Sequence, residues 1–277
     1  MKALFMERIM NHSLFISHGG GPLPLLAEPS HTGMCDALAK LATQIPKPRL
    51  VIVISAHWLS QEGVAINTQQ QPNLLYDYYG FDRAAYDIAY PCTGHTRVAN
   101  YLASYLQHQG IPILIEQQRG LDHGVFVPLK LMYPDADVPC VQISLHGGLD
   151  ERFHVELGQH LANAVADLDN VLLLGSGFTF HNMAAFKKGP IDDTQGYNRQ
   201  FEDWLIHTLQ APMSEKQRQQ QLIAWRTAPG ALYCQPTSEH LLPLHCAYGA
   251  ARCRPDTHIS TEIMGWQASF LLWQLEA

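Results

Sequence analysis

The sequence predicts an α/β protein built as one domain, and three observations carry that prediction. Short apolar runs rich in β-branched residues alternate with longer segments whose apolar residues recur at three and four, the alternation that layered α/β folds produce. The runs are continuously apolar rather than alternating, as in VIVIS from Val51, which fits parallel strands covered on both faces. At 277 residues the chain suffices for one large domain, 1–277, with a sizeable core.

Strand-like runs fall at 13–17, 50–55, 111–115, 138–145 and 171–174. Helical periodicity marks 33–44, 96–108, 151–167, 197–209 and 239–251, and an apolar helical stretch opens after Asp122-His123-Gly124. The segment 76–94, YDYYGFDRAAYDIAYPCTG, has neither period and is dense in tyrosine, so it reads either as a long packed loop or as an aromatic wall or lid over a site. The Gln-rich tracts at 68–72 and 217–221 read as a loop and a solvated helix face.

Composition excludes several classes. Eighteen basic against 25 acidic residues give a net charge of −7, without the basic cluster that nucleic acid or anionic membranes require. No apolar run reaches the roughly 20 residues of a membrane span, and Glu7 and Arg8 interrupt the only apolar stretch near the start, so a cytoplasmic protein is expected. Six scattered cysteines without a CxxC pair read as reduced core thiols. The unusual count is 15 histidines.

Their placement is informative. Four of the five runs deliver a histidine as they finish: LFISH at His18, VIVISAH at His57, VQISLH at His146 and VLLLGSGFTFH at His181. Parallel strands end along one edge, where open α/β sheets bind ligands, and several imidazoles at one edge form a metal or acid–base site. Gly19, Gly20 and Gly21 after His18, and Gly175 and Gly177 before His181, are expected to let backbone approach a ligand. His123, freed by Gly124, can point inward. In PTSEHLLPLHCAYGAA, Thr237 or Ser238 can cap a helix with His240 in its first turn. His245, about 140° further round, cannot easily face the same metal and is left to packing. His31, His108, His154, His160 and His207 sit in contexts that suggest solvated side chains.

The ordered set SHGGGP, VISAHW, RGLDHGVFVPL, GSGFTFHN and PTSEHLLPLHCAYGAA resembles the LigB-type class III extradiol ring-cleavage dioxygenases, in particular their 4,5-DOPA dioxygenase branch, over about 14–264. The resemblance implies a central mixed, mostly parallel sheet flanked by helices. It also implies a non-haem metal held by His18, His57 and His240, an acid–base role for His181 and a second pocket histidine in His123. The expected cofactor is Fe(II), since zinc has no accessible redox change, with Zn(II) able to occupy the site in purified protein. The implied partners are a small catechol such as L-DOPA and O2, with no nucleic acid or membrane, in a monomer or dimer. His146 is a candidate contact to the substrate's side chain. The alternative is a zinc-dependent hydrolase using the same histidines.

Overall fold

The computed structural model describes residues 9–276. The described strands are β1 (His12–Ser17), β2 (Leu50–Ser60), β3 (Val64–Asn67), β4 (Ile113–Glu116), β5 (Cys140–His146), β6 (Val171–Gly177), β7 (Thr257–Ile263) and β8 (Trp266–Gln274). The helices are α1 (Thr32–Gln44), α2 (Thr96–His108), α3 (His123–Met132), α4 (Glu151–Ala164), α5 (Met183–Lys188), α6 (Asp192–Gln210), α7 (Glu215–Ile223), α8 (Ala231–Cys234) and α9 (Leu242–Ala251). No helix among the described residues is long and apolar enough to cross a membrane.

The strands form one mixed sheet in the order β4-β3-β5-β2-β6-β1-β8-β7. Its centre is parallel, with β1 and β2 each pairing with β6, and β5 with β2. β8 joins β1 antiparallel, and β7 joins β8 antiparallel. The continuous apolar runs split by period two between two cores: Val51 and Val53 with Leu172 and Leu174 face one side, and Ile52 and Ile54 with Val171 and Leu173 face the other. Helices cover both faces, which is why these strands show no polar alternation.

Four expectations need correction. β3, β7 and β8 have no counterpart in the predicted runs. β7 is an edge strand of mostly polar, half-exposed residues, and β3 spans only four residues after Gly63. β2 does not stop before its histidine but runs to Ser60, with a register shift between Ser55 and Leu59, so His57 lies in a bulge rather than at a strand end. His240 precedes its helix, because α9 starts at Leu242 with Pro243 in its first turn and no side chain capping it. Finally, Gly175 and Gly177 admit protein backbone: a Cβ on Gly175 would lie 2.3 Å from the Pro243 carbonyl oxygen, and one on Gly177 2.1 Å from that of His240.

These glycines set the position of α9. On its other side, a Cβ on Gly158 of α4 would meet the Cys246 carbonyl oxygen at 1.9 Å, and one on Gly249 of α9 would meet that of Val155 at 2.0 Å. The helix is thus seated by close backbone approach on both sides, and the turn carrying His240 is fixed against the end of β6, where the Phe178 N–H donates to the His240 carbonyl at 2.9 Å. Gly177→Ala should therefore cost about 1–3 kcal/mol by overpacking. Gly196→Ala, in α6 with nothing within 4 Å of the added methyl, should be neutral or gain up to about 1 kcal/mol from helix propensity. Denaturant midpoints of the two variants check the contrast.

Candidate active site

Five predicted histidines, His18, His57, His123, His181 and His240, line one cavity of about 380 Å³, within the size range of small-ligand sites. A larger groove of about 580 Å³, beside α4, α9 and the end of β8, contains no imidazole. His18 follows β1, His57 sits in the β2 bulge, and His181 lies four residues beyond β6. His123 opens α3, and His240 precedes α9.

The Nε2 atoms of His18 and His57 are 3.0 Å apart, and those of His57 and His240 are 3.4 Å apart. A second grouping is also present. His123 offers a nitrogen within 4.8 Å of those of His18 and His57, and His181, Glu239 and His240 form another set on the same criterion. His123 makes its short contact elsewhere, Nδ1 to Asp77 Oδ1 at 2.8 Å. The ring of His181 stacks on that of His240, with centroids 3.3 Å apart and planes 8° from parallel.

Polar contacts on the far side of the rings orient them. The Ser176 hydroxyl donates to the Gly124 carbonyl, so it accepts from His18 Nδ1–H at 3.0 Å, and His18 turns a lone pair at Nε2 inward. Asp77 takes His123 Nδ1–H and the His123 backbone N–H through Oδ1, while its Oδ2 lies 3.5 Å from His57 Nδ1. Glu239 Oε1 lies 3.4 Å from His240 Nδ1 and accepts from Thr237 at 2.7 Å. Each of the three converging imidazoles thus has a polar partner at Nδ1. Nε2 nitrogens spaced by 3.0 and 3.4 Å match the chord expected when one ion binds each at about 2.0–2.1 Å. The donor set therefore fits a divalent metal, with partners that orient the ligands as metal sites require.

Electrostatics point the same way. Burial, then the neighbouring imidazoles, pushes His18 and His240 well below the usual histidine range. Burial and His123 bring His57 down to about 3 against the pull of Asp77, and burial lowers His181 to about 4 while Glu239 opposes it. Burial pushes the Asp77 carboxyl up, but its hydrogen bond to His123 and the nearby imidazoles outweigh this and hold it at about 2. The result is neutral imidazoles beside an ionised carboxylate, the protonation state that metal binding needs.

Asp122 and Arg119 hold the bulge. Asp122 is fully buried and accepts from Ser55 at 2.7 Å, from Gln142 and from Arg119 at 3.2 Å. Arg119 also donates to the His57 carbonyl at 3.0 Å and lies over the Trp58 ring. The loop before α3 is thereby tied to β2 and β5. Asp77, Glu239, Ser176 and Arg119 contact the cavity histidines, and no pattern in the sequence marks them for it. The nearest signal was their placement, Asp77 within the tyrosine-rich loop and Glu239 beside His240.

Several expectations take other forms here. His146 ends β5 outside the cavity, accepting from the Gly148 N–H at 3.0 Å and packing on Phe153. The longer β2 sets it opposite Ser60, beyond the site. His245, as expected, is left to packing within α9, with contacts to the Leu241 and Leu222 carbonyls. His31 and His154 are fully buried rather than solvated. His31 accepts from the Gly20 N–H at 3.0 Å, and His154 sits between the Asp150 carbonyl and the His146 N–H. From the tyrosine-rich loop, Tyr78, Tyr79 and Phe81 reach the cavity, whereas Tyr76 and Tyr90 bond to the Ile88 and Tyr133 carbonyls.

A cluster of neutral imidazoles at the carboxyl edge of a mixed α/β sheet defines a metal-binding oxidoreductase when the comparisons are added. A family model described as the catalytic LigB subunit of aromatic ring-opening dioxygenase matches residues 14–270. Dioxygenase tasH of Hapsidospora irregularis is 35% identical over 251 residues, covering 85% of this chain and 76% of that one. The 4,5-DOPA dioxygenase extradiol of Escherichia coli (strain K12) is 31% identical over 253 residues, covering 90% and 89%. The crystal structure of an uncharacterized protein from Escherichia coli K12 superimposes with a TM-score of 0.71 at 27% identity, covering 95% of this chain and 99% of that one. The chain belongs to the LigB family of aromatic ring-opening dioxygenases, which use a non-haem metal.

Two outcomes follow. Asp77→Asn should retain the fold and lose about 10–100-fold in metal affinity, measured by competition with a chromogenic chelator. His31 and His154 are both held by burial at about 4, so between pH 6.5 and 4 the unfolded chain binds protons there that the native chain does not. Their contribution to stability is full above pH 6.5 and is lost as pH falls toward 4. In metal-free protein, His154→Gln should flatten the acid slope of unfolding free energy by up to about one proton.

Proposed function

We propose that the protein, working as one catalytic domain, is an extradiol dioxygenase that opens a substituted catechol beside its hydroxyls. His18, His57 and His240 hold Fe(II), His181 serves as acid–base, and His123 as a second polar contact. The observation that carries this reading is the approach of His57 Nε2 to within 3.0 Å of His18 Nε2 and 3.4 Å of His240 Nε2 inside a cavity otherwise walled by aromatic and aliphatic groups. The name of the Escherichia coli relative, 4,5-DOPA dioxygenase extradiol, supports L-DOPA as the reference catechol for assay. Dioxygen is the second substrate, and the setting is cytoplasmic, consistent with six free cysteines.

A ferrous ion there would bind catecholate and dioxygen together and supply the redox path between them, which zinc cannot. The chain does the rest. His181, neutral and poised beside His240, accepts a catechol hydroxyl proton and later returns it, and Glu239, 3.9 Å from its Nδ1, stabilises the charged form. His123, with Nδ1 committed to Asp77, presents Nε2 to the cavity as a hydrogen-bonding group. Aromatic walls orient the ring by stacking and edge contacts.

His18→Ala, His57→Ala and His240→Ala should each lose most bound metal, since three ligands leave no redundancy. His181→Ala should retain metal while turnover falls about 10²–10⁴-fold. Metal analysis beside oxygen-electrode assays with Fe(II) separates the two roles. Oxygen uptake coupled to catechol loss marks ring cleavage, while metal-dependent hydrolysis with zinc alone would point to the hydrolase.

A further inference from the structure

We infer, building on the catechol reading above, that the substrate's ring substituent is uncharged and apolar, and that Met264 at the β7–β8 tip is a specificity-determining residue for it. The first observation is the composition of the wall. Apart from the histidines, the cavity is lined by groups such as Leu23, Tyr78, Phe81, Met183, Phe186 and Met264, and among the described residues no Lys, Arg, Asp or Glu lines it. A zwitterionic side chain entering this wall would give up hydration with no charged side chain in the described lining to meet it. An alkyl substituent instead gains on the order of fourfold in affinity for each methylene buried.

The second observation is the backbone at Met264. β7 and β8 pair from Ile263 with Trp266, leaving a two-residue loop with φ of 54° at Met264 and 80° at Gly265. Turns of this kind favour Asn, Asp or Gly at both central positions, because a Cβ crowds the left-handed region. Turn chemistry therefore gives no reason for methionine. The side chain does: it lines the cavity, and its Sγ lies 3.0 Å from the position a Cβ on Gly20 would take. The Met264 N–H donates to the Ser30 carbonyl at 3.0 Å, which anchors the tip beside the glycine run after His18. A flexible, polarisable thioether in that position adapts to an aromatic ring and its alkyl group.

The test compares 4-propylcatechol, 3,4-dihydroxyphenylpropionate and L-DOPA in two ways. Calorimetric titration of zinc-loaded, redox-inert protein gives affinity, and kcat/KM with Fe(II) gives turnover. We expect 4-propylcatechol to bind at least about tenfold tighter than L-DOPA, from roughly fourfold per buried methylene, with the same order in kcat/KM. Met264→Asn suits the turn and should melt no lower than the parent, yet shrink that preference by about threefold or more, expressed in KM. Met264→Arg should move the preference toward 3,4-dihydroxyphenylpropionate. L-DOPA bound and cleaved as well as 4-propylcatechol, or an unchanged preference in folded Met264→Asn, would overturn the inference while leaving ring cleavage intact. If no catechol is bound or cleaved, the ring-cleavage reading and this inference fall together.

Discussion

His57 Nε2 lies 3.0 Å from His18 Nε2 and 3.4 Å from His240 Nε2, and nitrogen lone pairs facing one another at such distances repel unless a proton or a cation lies between them. A protein that builds this arrangement has to enforce it from outside. Here the enforcement comes from the opposite ring atoms: His18 on Ser176, His57 on Asp77 and His240 on Glu239. Two of these partners are carboxylates, which also strengthen the imidazoles as donors to a metal. Burial thus keeps the rings neutral, and the Nδ1 partners orient them.

The fold is arranged around that requirement. Parallel pairing of β1 and β2 with β6 brings His18 and the His57 bulge to the same edge. The third imidazole comes from the turn before α9, and it reaches this edge because glycine at 158, 175, 177 and 249 lets α9 lie against both α4 and β6 at backbone distance. Asp122 and Arg119 tie the loop before α3 to β2 and so place His123 beside His57. The tyrosine-rich loop contributes on two sides: Asp77 anchors two histidines, and Tyr78, Tyr79 and Phe81 help enclose the cavity.

Much of this was legible in the sequence. The parallel core follows from continuous β-branched runs, and α2 coincides with its predicted span of 96–108. Four of the five cavity histidines stand out because they recur at run ends and glycine turns, and His240 because it opens a predicted helix. The rest depends on distant partners. Nothing local shows that Gly177 must admit a carbonyl, that His31 serves Gly20, or that Asp77 pairs with His123 across 46 residues. β7 is illegible because an edge strand needs no apolar run, and its hairpin lacks the Asn-Gly or Asp-Gly signal. His146 shows the limit of reasoning from strand ends, since the bulged, longer β2 moves that end away from the site.

The division of labour among five adjacent imidazoles is the centre of this account, and locating the ion tests it most directly. Crystals grown anaerobically with Fe(II), measured across the iron absorption edge, should show one anomalous peak bonded to Nε2 of His18, His57 and His240, with His123 and His181 unbonded. A peak bonded to His18, His57 and His123, or to His181, Glu239 and His240, would contradict it.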